Sequence, residues 1–85
     1  MTGAARRILV ACADGELRGS LRAELEREGG FEVQESSDPV TTTALAVASR
    51  PDAIVLEATR GSDIAETVAM LRKDFRTSFV PIVYL

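Results

Sequence analysis

Three apolar runs punctuate the chain: Ile8-Leu9-Val10-Ala11-Cys12, Ala53-Ile54-Val55-Leu56 and Val80-Pro81-Ile82-Val83-Tyr84-Leu85. In the first two, the absence of polar alternation is the pattern of a strand buried on both faces of a parallel sheet, and the third reads as a further strand. Pro81 is tolerable because it falls near the start of its strand. Phe31-Glu32-Val33-Gln34-Glu35 alternates instead, which predicts a half-exposed strand. Helical signals fill the gaps. Asp14 is a candidate N-cap, Leu17, Leu21 and Leu25 recur every four residues, and Gly29-Gly30 supplies a left-handed stop. Asp38-Pro39 opens a second helix, with an N-cap followed by proline at the first helical position. Thr41, Thr42 and Thr43 weaken that helix, and Val40, Ala44, Val47 and Ala48 are expected to form its apolar face. Arg50-Pro51-Asp52 reads as a turn. Ser62-Asp63 starts a third helix, with Glu66 placed for a capping box and Ile64, Val68, Leu71 and Phe75 as its apolar stripe. The order βαβαβαβ predicts an α/β fold, a doubly wound parallel sheet with helices on both faces.

The 85 residues allow one small domain, read as residues 6–85 behind a flexible tail over residues 1–5. A single cysteine and no histidine exclude a disulfide framework, an ordinary zinc site and histidine-based catalysis. No apolar run approaches the roughly 20 residues of a membrane span. No apolar signal core follows Arg6-Arg7, so a cytoplasmic location is expected. A net charge of −3 gives no support to direct nucleic-acid binding. Ala11-Cys12-Ala13-Asp14-Gly15 after the first strand lacks the spacing of a glycine-rich phosphate loop, which argues against a small-ligand pocket at that strand end.

Three segments together carry a resemblance: Asp14-Gly15-Glu16-Leu17-Arg18 after a buried strand, Gly29-Gly30-Phe31-Glu32-Val33, and Arg50-Pro51-Asp52-Ala53-Ile54-Val55-Leu56-Glu57. Over about residues 6–85 the chain resembles the receiver domain of bacterial two-component response regulators. The resemblance implies a flavodoxin-like sheet of strand order 2-1-3-4, the first four strands and three helices of a five-stranded receiver. It also implies a site at the carboxyl ends of strands one and three. In that family an aspartate ending strand three accepts a phosphoryl group, and an acidic pair ending strand one holds the magnesium ion. The resemblance places the acidic pair on Cys12 and Ala13 and the acceptor on Glu57, so each testable part of the phosphorylation site departs from the pattern. Asp14 is a candidate residual acid, weighed against its role as N-cap. Glu57 reads either as a polar residue at a strand end or as a fixed negative charge resembling the phosphorylated state. Cys12 reads as a small hydrophobe rather than a reactive thiol. Arg72, Lys73 and Arg76 read as cations complementing the end of the third helix rather than as phosphate ligands.

The resulting expectation is a pseudo-receiver, a phosphorylation-independent signalling or scaffolding module. It binds a protein partner or an attached output domain, and is neither an enzyme nor a carrier of a metal or cofactor. The alternative is a magnesium-dependent phosphoacceptor receiver using Asp14 and Glu57. A small-ligand pocket at the crevice between strands one and three is a third reading. Val80, Ile82, Val83, Tyr84 and Leu85 form a candidate association edge, because an apolar strand with free backbone groups is a template for strand addition or for a homodimer.

Overall fold

Two aspartates set where the helices begin. Asp14 Oδ1 accepts the backbone N–H groups of Glu16 at 2.9 Å and Leu17 at 3.2 Å, and Asp38 Oδ1 accepts that of Thr41 at 2.8 Å. Each satisfies amides that the first helical turn leaves without partners. Gly29 and Gly30, at φ 79° and 78°, then turn the chain out of the first helix in a conformation that side chains disfavour. The computed structural model describes residues 6–57 and 61–85, without the side chains of residues 61–63. The flexible tail expected over residues 1–5 and the capping box expected from Asp63 to Glu66 therefore lie outside the described residues.

The elements are β1 (Arg6–Ala11), α1 (Gly15–Glu28), β2 (Phe31–Ser36), α2 (Pro39–Ser49), β3 (Ala53–Leu56), α3 (Gly61–Lys73) and β4 (Ile82–Tyr84). All strand pairs are parallel and the order is β2-β1-β3-β4, as the resemblance implies. Register assigns the faces, because parallel partners point the same way. Leu9, Ala11, Ile54, Leu56 and Ile82 meet Ala46 of α2 and Leu71, Ile64 and Val68 of α3. Ile8, Val10, Cys12 and Val33 meet Leu21 and Leu25 of α1, with Phe31, Ala53 and Val55 of the neighbouring strands beside them. Two helices thus cover one face and a single helix covers the other.

That asymmetry corrects several expectations. β3 is not fully buried on both faces: Ile54 and Leu56 are buried, but Ala53 and Val55 are only partly buried on the side that α1 covers in part. Every residue of α1 keeps some exposure for the same reason. The face of α2 is also different. Val40 is 66% exposed and Ala44 and Ala48 are exposed, whereas Thr42 and Ala46 are buried, with Leu45 packed beside them. The helix turns a threonine inward because its hydroxyl is satisfied there. α3 ends at Lys73, so Phe75 lies beyond the helix and is exposed, and Arg76 is outside the last turn. β4 spans only Ile82–Tyr84. Val80 packs on the core ahead of it, and Leu85 follows it, donating its N–H to Leu56 O at 2.9 Å.

Candidate functional site

Parallel strands bring their carboxyl ends to one rim. Beyond β1 the pairing continues as Cys12 N–H donates to Ser36 O at 3.0 Å, and beyond β3 as Glu57 N–H donates to Ala11 O at 3.2 Å. These bonds fix Cys12 and Glu57 as neighbours. The thiol Sγ lies 4.0 Å from Glu57 Oε1 and 3.4 Å from Asp14 O. A cleft of about 370 Å³, much of it open to solvent, is lined here by Cys12, Ala13, Asp38, Thr42, Glu57 and Thr67 among others. Its floor is the sheet, and the starts of α2 and α3 form its walls.

The structure brings Cys12, Ala13 and Glu57 to one place and leaves Asp14 out of the cleft lining. Asp14 is committed to the α1 amides, so its N-cap reading holds. Cys12 is 3% exposed and free. Burial pushes its thiol up from the ordinary value, and the Glu57 and Asp14 carboxylates push in the same direction. A raised pKa keeps the sulfur protonated and unreactive near neutral pH. Asp38 is held below the usual carboxylate range by the Thr41 backbone N–H and then by the Thr41 hydroxyl.

A hard cation such as magnesium needs oxygen ligands, several of them charged. Cys12 offers a protonated thiol, Ala13 offers no side-chain donor, and the Asp14 carboxylate is already used. Among the described residues, no three of His, Cys, Asp and Glu stand close enough to hold a metal ion. This donor set does not fit the ion that the receiver resemblance implies.

Two features carried no expectation from the sequence. Arg18 donates to Cys12 O at 2.7 Å and to Glu35 Oε1 at 2.9 Å, while Arg22 donates to Glu35 Oε2 at 2.7 Å. Together they clamp α1 to β2 directly under the β1 rim and lower the Glu35 pKa, Arg22 most. The signal was the position of Glu35 on the α1 side of an alternating strand. The second is the buried Ser36–Thr42 hydroxyl pair beside the cleft, at 2.7 Å.

The basic cluster does not converge on a common point. Arg72 Nη1 donates to Ser78 O at 2.5 Å and Val80 O at 3.2 Å, while Arg76 grips Asp74 through Nε at 3.0 Å and Nη2 at 2.7 Å. At the β4 edge, Val83, Tyr84 and Leu85 are about half exposed and Ile82 is partly buried.

Comparison with solved structures identifies the architecture. The chain superposes on a response regulator from Desulfuromonas acetoxidans with a TM-score of 0.78 at 22% identity, over 93% of this chain and 64% of that one. On a chemotaxis response regulator of Vibrio cholerae the TM-score is 0.82 at 22% identity, over 94% of this chain and 67% of that one. The receiver domain of a sensor histidine kinase of Pseudomonas aeruginosa, solved with magnesium coordinated in its active-site cleft, gives 0.78 at 22% identity, over 95% of this chain and 66% of that one. This chain therefore spans about two thirds of the length of the proteins it superposes on, and it has their fold. No family model and no curated protein sequence matches it. No helix among the described residues is long and apolar enough to cross a membrane.

Proposed function

We propose that this receiver-fold chain is a signalling or scaffolding module that works by binding protein partners, independently of phosphorylation. The observation that carries the reading is the chemistry of the strand-end rim. A buried thiol and an alanine stand at Cys12 and Ala13, and Asp14, the nearest carboxylate along the chain, is spent on capping α1. Glu57 then acts as a permanent negative charge in the cleft, and recognition falls to exposed surface. On this reading the module is cytoplasmic, is not an enzyme, and serves a protein partner or an attached output domain. The exposed edge of β4 favours strand addition by a partner or by a second copy, because its outer backbone groups have no ladder partner among the described residues.

Sedimentation velocity with and without magnesium and beryllofluoride, a phosphoryl mimic, tests the reading. The expected result is no change in mass or shape. A change that disappears in Glu57→Ala overturns it and establishes a magnesium-dependent phosphoacceptor in its place. Val83→Lys on the β4 edge is expected to reduce any concentration-dependent association that the same experiment detects.

A further inference from the structure

The α3–β4 connection exposes two of the chain's three phenylalanines. Phe75 is 82% exposed and Phe79 is 91% exposed. Isolated exposed apolar residues are ordinary, but two large aromatics held on one short, braced loop are not. Thr77, between them, is fully buried. Its hydroxyl donates to Leu71 O at 2.6 Å and its N–H to Asp74 O at 3.0 Å. Asp74 accepts the Arg76 backbone N–H at 2.9 Å as well as the Arg76 guanidinium, and Arg72 ties the far side of the loop through Ser78 O and Val80 O. The loop is thus fixed from both sides, and what it holds out is aromatic. Pre-ordering of this kind removes much of the entropic cost of binding.

Phe75 also forms a wall of an open groove with Thr43 of α2, Met70 and Lys73 of α3, Asp74 and Arg76. Its lining carries Lys73 and the Arg76–Asp74 ion pair, and Arg72 adds a cation on the far side of the loop, so residues 72–76 hold three cations and one acid in a chain whose overall charge is −3. Lys73 has no ion-pair partner among the described residues. Aromatic anchors beside a pocket with a charged rim are the composition of protein-interface hot spots.

We infer that the groove between α2 and α3, with the Phe75–Phe79 loop, is a docking surface for an acidic amphipathic segment of a partner protein. The segment's apolar side chains pack on Phe75, Met70 and Phe79, and its carboxylates face Lys73, the groove cation without an ion-pair partner among the described residues. The lining runs as a strip from Thr43 of α2 to the loop after α3, which a short helix or strand can follow, and the vesicle control tests the lipid alternative. The inference rests on the protein-binding reading above. It does not depend on the state of Glu57, which lies at the opposite end of the parallel sheet.

The test titrates the whole chain with an acidic amphipathic helical peptide about 16 residues long, built from Leu, Phe, Glu and Asp. Controls are its counterpart with lysine at each acidic position and vesicles of phosphatidylcholine and phosphatidylserine. Saturable binding of the acidic peptide is expected, with amide NMR shifts concentrated over residues 70–79. Affinity should fall about tenfold in Phe75→Ser, in Phe79→Ser and in Lys73→Glu. Both phenylalanines are exposed, so these variants should melt with the parent, which separates lost binding from lost folding. Absence of binding, equal binding of the lysine peptide, or shifts elsewhere on the chain would overturn the inference. Vesicle binding that needs Phe75 and Phe79 would overturn it too, in favour of a lipid surface. None of these outcomes bears on the beryllofluoride result, so the two readings fail separately.

Discussion

Thr42 is 1% exposed, and its hydroxyl donates to Asp38 O at 2.7 Å while lying 2.7 Å from Ser36 Oγ. Ser36 is therefore the donor within the pair, and Thr42 Oγ1 is the acceptor that keeps the buried serine hydrogen satisfied. Thr42→Val should cost about 1–3 kcal/mol, because it orphans that hydrogen without changing the packed volume much. Adding Ser36→Ala should restore most of the loss, since removing both polar groups is nearly neutral. Urea unfolding of the two single variants and the double variant checks this, and strict additivity would refute the pairing. The pair also shows what a residue-by-residue reading misses. Threonine's poor helix propensity was legible, but its use as a buried polar contact depends on a serine in another element, and no local pattern records that. Asp14 was legible for the opposite reason: an N-cap is a local device, readable from an aspartate ahead of a periodic apolar stripe.

Boundaries of the elements turn on a few backbone positions. α2 ends at Arg50, a non-glycine residue at φ 51° and ψ 67°, whose N–H still donates to Ala46 O at 3.0 Å. A left-handed conformation costs a residue with a Cβ about 1 kcal/mol or more, so Arg50→Gly should stabilise the chain by about 0.5–1 kcal/mol after allowance for the freer unfolded chain. A thermal melt reads this as a rise of a few degrees, and a fall would show that the arginine side chain holds something more valuable. The connection after α3 depends on charge. The Arg76 side chain, and then its backbone N–H, hold the Asp74 carboxyl down to about 2. A depressed carboxylate pKa stabilises the folded arrangement above the unfolded value near 3.9, and that contribution is lost as pH falls toward 2. Protection of the amides of residues 74–79, taken relative to their intrinsic exchange rates, should therefore fall between about pH 4 and pH 2, and Asp74→Asn should remove this loss. Element order followed from the apolar runs and the aspartate caps. Which side of each helix faces the sheet did not, because α2 offers two stripes of small residues and tertiary packing alone chooses Thr42 and Ala46 over Val40 and Ala44.

At the scale of the whole molecule, α2 and α3 share one face of the sheet while α1 alone shields the other, so Leu17, Val55 and Val83 retain contact with water. A core this uneven belongs to a small domain with limited stability of its own. Whatever binds the folded form and not the unfolded one adds RT ln(1 + [L]/Kd) to that stability, about 2.7 kcal/mol at a hundredfold excess over Kd. For a domain of this size that amounts to a rise of roughly 10–20 °C in Tm. Saturating acidic peptide should produce a shift of this order, and an unchanged melt at occupancies verified by NMR would sink the expectation. The same linkage applies to proteolysis, which samples the opened chain. For the proposed partner this makes abundance follow supply, with unbound copies removed first and bound copies spared.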